Sequence, residues 1–176
     1  MKKKAKREFP ILAMLCVLSI PSACTSAVEE DRSPEVVGAA GTTKVAVHDS
    51  NKQDVGSISW GLKITNFSEL FLVSGYGATD AEGKVQFLGD AIAQTDYILS
   101  RIEAFIEKNG YSKNDIIRIE ATVTKDVPQG QLGGIFGVLS AFFSDVAVKP
   151  TGGTFRIIHA LGNPDMLVEL GFWLAH

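Results

Sequence analysis

Residues 87–126 read FLGDAIAQTDYILSRIEAFIEKNGYSKNDIIRIEATVTKD, and the recurrence of hydrophobic residues in this stretch decides the fold. Ile92, Thr95, Ile98, Leu99, Ile102, Phe105 and Ile106 recur at helical spacing, which lines them along one side of an α-helix. Asp90 offers a side-chain acceptor near its start, and Asn109-Gly110 supply a stop. The period then changes. Ile117, Ile119, Ala121 and Val123 alternate with Arg118, Glu120, Thr122 and Thr124, so a strand with one apolar and one polar face follows. A long amphipathic helix beside a two-faced strand predicts an α+β layer in which the helix covers the apolar side.

Working outward, strand-like runs at 57–64 and 70–75 are separated by Asn66-Phe67-Ser68-Glu69, which reads as the turn of a hairpin. Downstream, Leu132, Ile135, Phe136, Leu139, Phe142 and Phe143 form the stripe of a second helix. Gly133, Gly134 and Gly137 lower its intrinsic stability by about 1 kcal/mol each, for which close packing against a sheet is the simplest reason. Strands at 154–161 and 166–174 close the chain, joined by the turn Gly162-Asn163-Pro164-Asp165. The order is β-β-α-β-α-β-β, with both helices expected on one face of the sheet. The other face then needs cover. Trp60, Trp173 and the polar face of the strand at 116–124 are candidates for it, so oligomerisation over that face is expected.

The first 24 residues read as an export signal: a basic start, an apolar stretch and small residues up to Cys24. The apolar stretch is broken by Pro10 and is shorter than the roughly 20 residues that a spanning helix needs. Leu18-Ser19-Ile20-Pro21-Ser22-Ala23-Cys24 resembles a lipoprotein signal, with Cys24 as lipidation site and a lipid as the membrane link; cleavage after Ala27 is the alternative. Either way the protein is expected to be exported, periplasmic or membrane-anchored. Residues 25–56 lack a sustained period and read as a flexible tether, with Lys44-Val45-Ala46-Val47 as a candidate edge strand. The folded domain is expected at 57–176.

Charge and composition exclude several function classes. The formal net charge is −3, but Lys2, Lys3, Lys4, Lys6 and Arg7 against Glu8 place +4 in the first eight residues, so the remainder carries −7. Such a chain repels phosphate backbones, and nucleic acid is not expected as a partner. Both cysteines, Cys16 and Cys24, fall in the signal, leaving the domain no thiolate for catalysis or metal binding. His48, His159 and His176 are too scattered for a metal site or a catalytic histidine pair, and no phosphate loop or dinucleotide fingerprint occurs. No cofactor is expected.

Three candidates for chemistry remain. Glu169 interrupts an apolar strand, on the face shared by Gly171 and Trp173. It is either a general acid/base or water-positioning group, or a charge-paired interface residue. Arg156 interrupts the preceding strand; it either clamps a substrate carboxylate through two hydrogen bonds or pairs with Glu169. Ser74-Gly75 end a strand, where a hydroxyl and an accessible backbone suit small-ligand recognition or simply form a turn.

The strings Leu72-Val73-Ser74-Gly75, Gly89-Asp90-Ala91-Ile92-Ala93-Gln94-Thr95, Thr122-Val123-Thr124, Phe142-Phe143, Lys149-Pro150 and Leu167-Val168-Glu169-Leu170 occur in an order and spacing that resemble the RidA (YjgF) family of enamine/imine deaminases. The resemblance implies a chorismate-mutase-like α+β fold, a homotrimer, and clefts between subunits. In those clefts small 2-aminoacrylate-type enamines or imines are hydrolysed to 2-oxo acids and ammonia without a cofactor. Family members hold the substrate carboxylate with an arginine and position water with a glutamate and a backbone group near the Ser-Gly loop. An asparagine of the second helix supports the site. Glu169 matches the glutamate, Ser74-Gly75 match the loop, and Trp60 lies near the aromatic residue of the family's first strand.

The arginine position, however, falls on Gly153 and the asparagine position on Phe136. Loss of a bidentate clamp removes an interaction worth about 1.5–3 kcal/mol. Arg156 comes three residues later and would face the wrong way in an unbroken strand; a bulge would bring it round. The sequence thus supports two functions, a deaminase that uses Arg156 as anchor and Glu169 to orient water, or a noncatalytic trimeric binder of small carboxylates.

Overall fold

A four-stranded mixed sheet, in the order β4-β7-β5-β6, carries the site in this computed structural model. The structure describes residues 36–37, 41–52 and 58–176. The signal expected at 1–24, with Cys24, lies outside the described residues, as do several positions of the expected tether. The strands are β1 (Val36–Val37), β2 (Thr43–Val47), β3 (Gly61–Thr65), β4 (Leu70–Gly77), β5 (Ile116–Thr124), β6 (Thr151–Ile158) and β7 (Val168–Ala175). Helix α1 (Ala91–Lys108) joins β4 to β5, and α2 (Gln129–Phe142) joins β5 to β6. Among the described residues no helix is long and apolar enough to cross a membrane.

Both helices lie on one face, as the periodicities require. Ile98, Leu99, Ile102 and Ile106 of α1 and Ile135 and Leu139 of α2 form one core with Ile119, Ala121 and Val123 of β5 and Val168, Leu170, Phe172 and Leu174 of β7. The start of α1 is held by Asp90, whose Oδ1 accepts from the backbone of Ile92 and Ala93 at 3.1 and 3.0 Å. Gly110, with φ +84°, lets the chain turn away just after the helix. Lys149 caps the other helix: its ammonium donates to the carbonyls of Phe143 and Val146 beyond α2.

Two expectations about strand pairing are corrected. The runs 57–64 and 70–75 do not form a hairpin: β3 pairs with β2, from Thr43↔Thr65 to Val47↔Gly61, while β4 pairs with β7. The alternation at 44–47 is therefore a strand, central rather than edge in the three-stranded order β1-β2-β3. Lys44 on this strand has a buried ammonium without a hydrogen-bond partner among the described residues. Its pKa falls to about 8 through burial, against the opposing charge of Asp115. Nor do the last two strands pair with each other. β7 runs antiparallel between β4 and β5, and β6 lies parallel to β5 at the edge. Every second residue of β7 from Val168 to Leu174 is fully buried, and a strand gains most from such a face when it has neighbours on both sides. The more polar β6, with Arg156 and Ile157 exposed, suits an edge.

The glycines of α2 also read differently in three dimensions. A Cβ on Gly134 would collide with Ile92, so this glycine lets α2 approach α1 rather than the sheet. A Cβ on Gly133 or Gly137 would meet nothing within 4 Å.

Candidate functional site on the open face of the sheet

The sheet face away from the helices gathers the polar candidates in rows. Across four strands the backbone register runs Gly77, Glu169, Thr122, Arg156, and a second row runs Leu72, Trp173, Arg118, Thr151. Between them Glu120 lies opposite Gly171. Cross-strand partners point to the same side of a sheet, so the expected face of Glu169, shared with Gly171 and Trp173, is the observed one.

Two bulges flank the middle row. In β4 three steps from Val73 to Tyr76 match two on β7, which places Ser74-Gly75 at the irregularity. In β6 three steps from Gly152 to Phe155 match two on β5, so one extra residue falls at Gly153-Thr154. This extra residue turns Arg156 to the open side; without it the period of two would send the guanidinium toward α2. The bulge that Arg156 needs is thus present.

Glycines make room for the carboxylates. A Cβ on Gly75 would lie 2.5 Å from Cδ and Oε1 of Glu169, so the Glu169 carboxylate rests over the Ser74-Gly75 loop. A Cβ on Gly153 would lie 2.6 Å from Cδ of Glu120, whose carboxylate therefore covers the position left bare there. Glu169 is half-buried, and its carboxylate has no ion pair among the described residues.

Arg156 does not pair with Glu169. The two share a row but stand two strand spacings apart, about 9.5 Å, with Thr122 between them. Glu120 takes the arginine instead: Nη1 of Arg156 donates to its Oε2 at 2.9 Å, and Nε of Arg118 donates to its Oε1 at 2.6 Å. Burial raises the pKa of Glu120, but hydrogen bonds and charge from Arg118 and then Arg156 outweigh it and hold the carboxyl below the ordinary range. The guanidinium of Arg118 also lies 5.7 Å from the centre of the Trp173 ring, a cation–π geometry.

The structure thus brings Glu169 against Ser74-Gly75 and turns Arg156 to the same face. It does not bring Trp60 to them. Trp60 follows Ser59, which bridges to Thr151 beyond the edge of β6, and Lys52 Nζ lies 5.7 Å from its ring centre. Phe136, at the expected asparagine position, stacks on Phe155 with ring centres 5.0 Å apart. Sequence reasoning placed Arg118 and Glu120 on the polar face of β5 but gave them no role. What was missing was the neighbour: only the pairing of β5 with β6 sets Arg156 beside Glu120. Among the described residues no group of His, Cys, Asp and Glu could hold a metal ion.

No protein-family model matches this sequence, and no curated protein matches it. Solved structures do. A protein of unknown function of the conserved Rid family, YyfB from Yersinia pestis, superposes with a TM-score of 0.68 at 18% identity, covering 76% of this chain and 98% of that one. E. coli TdcF with bound serine matches with a TM-score of 0.53 at 20% identity, over 64% of this chain and 84% of that one. A Thermotoga maritima protein described as a candidate endoribonuclease matches with a TM-score of 0.52 at 18% identity, over 70% and 94%. The chain therefore has the Rid-type, chorismate-mutase-like α+β fold, with two helices on one face of a four-stranded mixed sheet.

Proposed function

We propose that this chain is an exported, divergent member of the RidA (YjgF) family that hydrolyses small enamines and imines to 2-oxo acids and ammonia. The observation that carries this reading is the bulge at Gly153-Thr154, which turns Arg156 to the face where Glu169 lies over the Ser74-Gly75 loop. In this reading Arg156, with Arg118 beside it, anchors the substrate carboxylate through charge-assisted hydrogen bonds. Glu169 accepts a proton from the water that attacks the imine carbon, and a backbone group of the Ser74-Gly75 loop helps to hold that water. An enamine first takes a proton at its terminal carbon and becomes the imine. The water oxygen then bonds to the imine carbon as Glu169 passes the water proton to nitrogen. The C–N bond breaks as the hydroxyl proton follows by the same route, leaving a 2-oxo acid and ammonia. Serine bound to TdcF fits a site for small amino-acid-like carboxylates in this fold.

Leu70, Leu72 and Trp173 are 50%, 56% and 42% exposed on the open face, a patch that suits contact with further copies in a homotrimer. Export and lipidation at Cys24 follow from the sequence pattern; membrane fractionation of the wild type and Cys24→Ala tests them. For the activity, purified protein is mixed with freshly generated 2-aminoacrylate and pyruvate is followed. Pyruvate released faster than background is expected, and no acceleration removes the reading.

A noncatalytic binder of small carboxylates is the second reading, favoured by the hold of Glu120 on Arg156 and by Phe136 in place of an asparagine. A melting curve that responds to 2-oxo acids without any pyruvate release would support it, and one unresponsive to every small carboxylate would count against both readings.

A further inference from the structure

Both arginines of the open face are already engaged by one carboxylate. Glu120 gives one oxygen to each: Oε1 accepts from Nε of Arg118 at 2.6 Å, Oε2 from Nη1 of Arg156 at 2.9 Å. Its carboxylate lies over Gly153, where a Cβ would come within 2.6 Å of Cδ and of both oxygens. The side chain thus fills a space left empty in β6 with the same group, of the same charge, that ends a small organic acid. The contacts are also open to exchange. The side chains of Arg118 and Arg156 are 38% and 48% exposed and that of Glu120 22%, so water or a ligand reaches the pair, and exposed ion pairs of this kind hold weakly.

We propose, resting on the reading of this face as a carboxylate site, that Glu120 is a specificity-determining internal competitor: a ligand carboxylate binds the arginines by displacing it. A competitor tethered to β5 acts at high effective concentration. Acids that offer only a carboxylate are therefore rejected, and ligands that also engage Glu169 and the Ser74-Gly75 loop are selected. A glutamate that merely braced the two guanidiniums would act in the opposite direction, because its loss would loosen the anchor and weaken binding.

Calorimetric titration of the full chain with pyruvate, and with its uncharged analogue pyruvamide, separates these roles by comparing the wild type with Glu120→Gln. Glutamine keeps the length and one acceptor oxygen but removes the charge. The Kd for pyruvate is expected to fall about tenfold in Glu120→Gln while that for pyruvamide stays unchanged. A pyruvate Kd that stays the same or rises overturns the inference and leaves the carboxylate site standing. Equal tightening toward both ligands also overturns it, since a loosened pocket does not discriminate charge. Absence of pyruvate binding in both proteins overturns the site reading together with the inference. Should Glu120→Gln melt early, Glu120→Thr, which also removes the charge, carries the same comparison and the same outcomes.

Discussion

Arg156 and Glu120 meet across the bulge of β6, Nη1 to Oε2 at 2.9 Å, although 36 positions separate them in the chain. This contact fills with a side-chain carboxylate the place where the carboxylate of a ligand is expected. Glu169, on β7 opposite Thr122, takes no part in this contact and has no ion pair among the described residues.

Replacing Glu169 by Gln keeps the volume over Gly75 but removes the carboxylate that the proposed hydrolysis uses as proton acceptor. Pyruvate release from 2-aminoacrylate is expected to drop about a hundredfold or more, while the thermal midpoint moves by only a few degrees. A coupled pyruvate assay alongside a melting curve checks both, and undiminished turnover would take Glu169 out of the reaction.

Gly75→Ala tests the loop from the opposite side. The added Cβ would come to 2.5 Å from Cδ and 2.8 Å from Cγ of Glu169, and the far end of a flexible side chain can swing away. Stability is therefore expected to fall by less than about 2 kcal/mol in urea, with turnover lost as in Glu169→Gln. Pyruvate binding is expected to weaken without being abolished, because the arginines are untouched while the Glu169 and loop contacts are displaced. A fully active Gly75→Ala enzyme would separate the carboxylate from the loop.

Acid should loosen the Arg118–Glu120–Arg156 cluster. Two guanidiniums hold the folded-state pKa of Glu120 below its ordinary 4.5, so its contribution to stability is present above that value and is lost as pH falls through the lower folded-state value. Urea midpoints measured from pH 6 down to pH 3 are expected to fall more steeply for the wild type than for Glu120→Gln. Parallel curves would show that the cluster does not contribute.

Gln94 ties β7 to α1 out of contact with solvent. Its Oε1 accepts from the backbone of Leu167 at 2.8 Å and its Nε2 donates to the carbonyl of Asp165 at 3.0 Å. Gln94→Leu leaves a buried N–H and a carbonyl unsatisfied, an expected cost of about 1–3 kcal/mol by urea denaturation. The strand that follows carries Glu169, so faster amide hydrogen exchange at 167–169 is expected as well. Unchanged exchange there would show that β7 is held by its strand partners alone.

Much of the scaffold was legible because its signals are local. The helix at 91–108 announces itself in seven residues at helical spacing between Asp90 and Asn109, and β5 in its strict alternation. The residues at 66–69 and 162–165 do break the strands, but the hairpin expected across 66–69 does not form, and the strands on either side of 162–165 do not pair with each other. A turn signal says where a strand stops; it does not say which strand comes alongside.

By itself, then, the sequence determined the α+β class, the single helical side of the sheet and the face on which Glu169 stands, because side-chain periods of 3.6 and 2 are properties of consecutive residues. The tertiary structure alone decided that β7 lies between β4 and β5, that β2 partners β3, and that Arg156 meets Glu120 instead of Glu169. Those outcomes depend on burying whole strand faces between residues distant in the chain, and on one extra residue at Gly153-Thr154, which exchanges the two faces of everything after it in β6.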